Sequence, residues 1–167
     1  MTNYFVNNLT FDPSKTGYNA YRQFHSDCHN GYVHAMFMPW AVVGFFTIMY
    51  GIIGKMMFNV KDVMALTICI SYIAFDSWYF VLPAIAVYHF GLSWYLRKKI
   101  LPLPLSKTGF IVLGTILLTC AVSIMEFVGH GYFEHHHSHL PEVLNSIYHT
   151  PLYTIHAFVD PWIGNCS

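Results

Sequence analysis

The chain has 167 residues, 55% hydrophobic, 18% aromatic and only 10% charged, against about 25% charged in an ordinary soluble domain. Eight Lys and Arg balance eight Asp and Glu, which excludes the basic excess of a nucleic-acid binder and the charge-rich, oil-poor composition of a disordered chain. Eleven histidines outnumber the lysines and arginines together, so the first expectation is a membrane protein with an imidazole-based metal site.

The length fits a single domain, residues 1–167. Its first part, 1–34, is polar and carries His25, His29 and His34. It has no apolar stretch near its start, so it does not read as a cleavable signal peptide. From Ala35 to Gly54 no residue is charged; twenty residues at about 1.5 Å each cover the roughly 30 Å of bilayer hydrocarbon. A polar connection, Lys55 to Asp62, follows. Val63 to Leu96 holds one charge, Asp76, and one proline, Pro83. As a single helix it would reach about 51 Å, too long for a bilayer without severe tilt. A tight helical hairpin turning between Asp76 and Pro83 is expected instead. Arg97, Lys98 and Lys99 then precede LPLPLS, whose prolines stop a helix. Gly109 to Val128 is the last apolar run, broken only by Glu126. The remainder, 129–167, is rich in histidine, proline and aromatic residues and suits the membrane interface. The four cysteines (Cys28, Cys69, Cys120, Cys166) form no C-x-x-C pair, against a disulfide framework or zinc ribbon.

The expected fold is therefore all-α: a polytopic membrane protein of about four short transmembrane helices, in 35–128, with a histidine site at one membrane face. Parity supports the count. Histidines gather before the first span and after the last (His130, His135, His136, His137, His139), and only an even number of crossings brings both groups to one side. Lys55, Lys61, Arg97, Lys98, Lys99 and Lys107 would share the other side, which the positive-inside rule assigns to the cytosol. The sequons Asn8-Leu9-Thr10 and Asn165-Cys166-Ser167 make that orientation testable by glycosylation.

Two stripes carry the candidate chemistry. His25 and His29 are four apart on one helical face, and Asn30-Gly31 is a plausible break that would swing His34 back towards them. On a helix, His130, Glu134 and His137 fall at i, i+4 and i+7. Glu126, one turn before His130, is a candidate to orient that imidazole. His25, His34 and His130 are the leading metal ligands, with His29 and His137 as further candidates. Imidazole and carboxylate suit iron, zinc or copper; iron with two or three histidines serves oxygen activation, and zinc with a water serves hydrolysis.

The spacing His25-x4-Asn30-x3-His34-x4-Pro39 ahead of the first span resembles the opening motif of the membrane 2-hydroxy fatty acid dioxygenase family. Glu126-Phe127-Val128-Gly129-His130-Gly131-x-Phe133-Glu134 is similar to that family's QFIGHGxFE segment, and the resemblance covers residues 18–160. It implies a protein of the endoplasmic reticulum membrane that uses Fe(2+) and O2 to shorten a 2-hydroxy fatty acid by one carbon, in the α-oxidation branch of sphingoid-base metabolism. It also implies iron ligation by His25, His34 and His130. Asn30 and Glu134 fall on the accompanying polar positions and are candidates to steady the ligands or hold the substrate carboxylate. The chain departs from the pattern in having Glu126 for glutamine and HHHSHLPEV where the family has a basic pair. The alternatives are a di-iron lipid hydroxylase or desaturase, for which HSDCH supplies an H-x3-H, and a non-enzymatic metal-binding membrane protein. Composition and spacing leave the oligomeric state open.

Overall fold

The computed structural model describes residues 27–75, 82 and 85–135. Among them the structure is all helical, with no strand. Helix α1 (Cys28–Ile53) is capped by Asp27, whose carboxylate accepts the His29 N–H at 2.7 Å, satisfying one of the donors a helix start leaves open. It runs through Asn30 and Gly31 without interruption and carries Pro39 inside. The break expected at Asn30-Gly31 does not exist. The aspartate cap starts the helix seven residues ahead of Ala35, so the polar residues before the apolar run are helical too.

Gly54, at φ +61°, ends α1, a conformation that costs a residue with a Cβ far more than glycine. A 3-10 turn, Gly54–Met56, leads into α2 (Met57–Phe75). The third helix, α3, is made of consecutive pieces: a π-helix Ile85–Gly91, an α-turn Leu92–Tyr95 and a π-helix Leu96–Ile100. Asp62 of α2 meets His89 of α3, and Phe58 of α2 lies under the Arg97 guanidinium. That reversed order is the pairing of an antiparallel hairpin; its expected turn, Asp76 to Pro83, lies almost wholly outside the described residues. Helix α4 starts at Lys107, capped by the Ser106 hydroxyl, and passes at Ile124 into a π-helix, Met125–Glu134. His135, left-handed at φ 57°, stops it by giving its N–H to the His130 carbonyl.

The frame is the antiparallel pair α1 and α4. A side chain on Gly44 would sit 2.6 Å from the Leu118 backbone nitrogen, and one on Gly114 would sit 2.6 Å from the Gly44 carbonyl oxygen. Backbone therefore touches backbone there, the close approach that small residues permit between apolar helices. The main core joins all four helices: Val42, Val43 and Phe46 from α1, Ile68 from α2, Leu92 and Leu96 from α3, Phe110 from α4. A smaller cluster of Met38, Ala41, Ala121 and Met125 continues the α1–α4 seam. Outward, large apolar side chains such as Ile52, Leu66, Ile70, Val112 and Ile116 are exposed. Two helical stretches, His29–Ile70 and Lys107–Glu134, are long and apolar enough to cross a membrane.

Candidate functional site

The antiparallel pairing that seats Gly44 against Gly114 brings the start of α1 beside the end of α4. There Asn30 and His34 from α1 face Gly129, His130 and Glu134 from the π-helical end of α4. His34 and His130 are both buried at 3% exposure, and Asn30 is fully buried. The two imidazoles meet edge to face, ring centroids 5.0 Å apart. A π-helical segment is uncommon and frequently marks a functional site; this one holds His130.

Each ring has its Nδ1 committed. His34 Nδ1 lies 3.0 Å from the Asn30 carbonyl oxygen. A carbonyl only accepts, so Nδ1 carries the proton, and in the neutral ring Nε2 keeps its lone pair. His130 Nδ1 lies 2.9 Å from Glu134 Oε2, where it donates to the carboxylate and again leaves Nε2 basic. Glu134 is anchored in turn: the Asp27 backbone N–H donates to its Oε1 at 3.4 Å, and the Asn30 amide donates to it as well. Metal-binding histidines are held in this way, one ring nitrogen oriented by a carbonyl or carboxylate.

Asn30 links these groups. Its carbonyl holds His34, its Nδ2 lies 3.4 Å from His130 Nδ1, and its Oδ1 is buried with no hydrogen-bond partner among the described residues. Because the carboxylate accepts only, the amide nitrogen faces Glu134 and the oxygen faces Gly129. A Cβ on Gly129 would stand 2.2 Å from Oδ1 and 3.3 Å from His34 Cε1, so a side chain there would displace the Asn30 amide and the His34 ring.

Of the sequence candidates, the structure brings together His34, His130, Asn30 and Glu134. His29 stands on the exposed side of α1. Its Nδ1 pairs with Asp27 at 3.0 Å, and its ring stacks on Phe133 with centroids 5.1 Å apart. His25 and His137 lie outside the described residues. The left-handed His135 ends the helix that carries His130 and Glu134. The carboxylate on His130 Nδ1 is Glu134, one turn after it. Among the described residues no three His, Cys, Asp or Glu side chains are grouped to hold a metal ion.

Sequence reasoning missed two participants. Asp27 caps α1 and reaches Glu134; its signal was an aspartate directly before the helix. Gly129 makes room for Asn30, and nothing short of the helix pairing reveals that. Over the described residues the molecule is thus all-helical, with two membrane-length apolar helical stretches and a buried paired-histidine cluster where the start of α1 meets the end of α4. No family model, no curated protein and no solved structure matches the chain.

Proposed function

We propose that the protein is a multi-pass membrane dioxygenase of the endoplasmic reticulum that uses Fe(2+) and O2 to convert a 2-hydroxy fatty acid to the acid one carbon shorter. The observation that carries the reading is the buried His34–His130 pair, one ring from each of two antiparallel helices and each oriented through Nδ1. In this reading α1 to α4 are four short spans. The resemblance of the two histidine motifs supplies the substrate class.

The donors suit iron. Two neutral imidazoles and a nearby carboxylate are borderline-to-hard ligands, and the partnerless Asn30 Oδ1 is a further buried oxygen. His34 and His130 would hold the metal, with His25 as the third ligand that the resemblance implies. When bound, iron(II) supplies the activation of O2. Glu134 keeps the His130 proton on Nδ1, Asn30 keeps that of His34 on its own Nδ1, and the seam of Met38, Ala41, Ala121 and Met125 keeps water from the cluster's inner side. The exposed apolar faces let an acyl chain remain in the bilayer while its head reaches the helix ends. The stoichiometry closes without a reductant: a 2-hydroxy acid and one O2 give the shortened acid, CO2 and water. The C1–C2 bond breaks, and the four electrons taken up by O2 come from the substrate.

The test is direct. Protein purified in detergent and loaded with iron is supplied with 2-hydroxyhexadecanoic acid and O2, and pentadecanoic acid and CO2 are measured. Formation of both, lost in His130→Ala, supports the reading. No shortened acid from the iron-loaded wild type overturns it, and two irons per chain would favour the di-iron alternative.

A further inference from the structure

We propose that the end of the molecule opposite the paired histidines is a docking surface for anionic phospholipids, which it holds by their phosphate headgroups. Among the described residues every lysine and arginine lies at that end: Lys55, Lys61, Arg97, Lys98, Lys99 and Lys107. They are scattered in the chain, and the fold gathers them. The Arg97 guanidinium sits 4.2 Å over the Phe58 ring, which ties the end of α3 to the start of α2. A Cβ on Gly51 would stand 2.7 Å from the Lys107 carbonyl oxygen, so the start of α4 lies against the last turn of α1, the turn that leads into Lys55. The carboxylate placed among them, Asp62, is already engaged by the buried Lys61 and by His89. Lys55, Arg97, Lys98, Lys99 and Lys107 are exposed, and among the described residues none of the five is paired with a carboxylate. Asp27, Glu126 and Glu134 stand at the histidine end instead.

Charge complementarity calls for an anion, and the neighbours of the charges narrow its class. The cations border exposed apolar side chains: Ile52 and Met56 flank Lys55, Trp94 precedes Arg97 by about a turn, and Leu103 and Leu105 stand in the connection ahead of Lys107. Against a nucleic acid or an acidic protein, that oily rim would be left facing water. A phospholipid fits both halves. Its phosphate meets the ammonium and guanidinium groups, its acyl chains lie along the exposed apolar sides of the helices, and a tryptophan at the junction suits headgroup depth. The inference rests on the membrane reading above and adds a lipid preference to it. A lysine or arginine near an anionic membrane surface contributes about fivefold in affinity, so neutralising three of them should erase a preference of about tenfold or more.

The experiment uses the full chain in detergent. Phosphatidylserine and phosphatidylcholine with the same brominated acyl chains are titrated onto wild type and onto the triple variant Lys98→Gln, Lys99→Gln, Lys107→Gln, with quenching of tryptophan fluorescence as the readout. Wild type should bind phosphatidylserine at least about tenfold more tightly than phosphatidylcholine, and the variant should bind the two within about twofold of each other. Equal affinities in the wild type, or a preference that survives in the variant, overturns the inference and leaves the membrane reading standing. Binding of neither lipid overturns both. Tighter binding of a poly-glutamate peptide than of phosphatidylserine assigns the surface to an acidic protein and likewise overturns the inference. If the triple variant does not fold, the wild type decides alone: raising the salt from about 0.05 to about 0.5 M must bring the two affinities together, because exposed charges are screened. A preference indifferent to salt overturns the inference.

Discussion

Two imidazole–carboxylate contacts in this protein have the same length and opposite surroundings. His130 meets Glu134 at 2.9 Å with side-chain exposures of 3% and 1%; His89 meets Asp62 at 2.9 Å with exposures of 49% and 45%. The first is enclosed by two helices and backed by Asn30, Asp27 and a second imidazole. The second is wet, and Asp62 is shared with the fully buried Lys61. Distance alone therefore does not mark a site. Burial does: a buried pair that loses one member leaves its partner desolvated and uncompensated, whereas an exposed pair trades its partner for water.

The largest effect expected from this contrast is at the rings. On the proposed function, His130→Ala or His34→Ala takes away a proposed nitrogen ligand and should abolish retained iron and lower product formation at least about a hundredfold, as read by metal analysis and chromatography of the shortened acid. Iron retained at wild-type stoichiometry in both variants would break the assignment of the buried pair as ligands. Glu134→Gln comes next. The amide keeps the volume but replaces the carboxylate that receives the His130 proton, and iron affinity should fall about 10- to 100-fold in a competition titration. An unchanged affinity would mean that enclosure of Glu134 carries no functional weight.

The contrast also explains what the sequence made legible. The helical class and the first apolar helix follow from periodicity and length, because burying apolar surface along a helix imposes a pattern on neighbouring residues. His34 and His130 were singled out by clustering and motif spacing, and the structure puts the two rings side by side. The anchoring of Glu134 was not legible, since it is placed by Asp27 and Asn30, about a hundred positions away in the chain. The uninterrupted helix through Asn30-Gly31 was hidden as well: a strong aspartate cap and packing on α4 outweigh two poor helix formers.

Gly129 and Gly114 sharpen the comparison within one helix pair. Alanine at Gly114 must push the Gly44 carbonyl and the Ile48 backbone nitrogen aside, and backbone has nowhere to go. Gly114→Ala should destabilise by about 1–3 kcal/mol, seen as a lower thermal midpoint in detergent, with the iron content of the folded fraction unchanged. Gly129→Ala strikes the Asn30 amide and the His34 ring instead. Side chains can rotate away, so the stability loss should be smaller, while iron retention falls because the Asn30 amide steadies the Glu134 that orients His130 and the His34 ring itself is displaced. Equal iron content in the two folded variants would remove the distinction between a packing seam and a site.

The smallest effect belongs to the exposed pair. Asp62→Asn keeps the size of the side chain, removes the charge facing His89 and leaves Lys61 without its carboxylate. The His89 contribution is that of a solvent-screened contact, no more than about 1 kcal/mol. Lys61 is the part that resists: its ammonium is fully buried, and losing the paired carboxylate costs more than losing an exposed partner. The two terms separate by experiment. His89→Ala should move the thermal midpoint little, and Asp62→Asn should move it further, with product formation within about threefold of wild type in both because neither side chain touches the buried histidines. A midpoint shift for His89→Ala as large as that for Glu134→Gln would show that 2.9 Å carries the same energy wet or dry, and the burial argument for the site would fail with it.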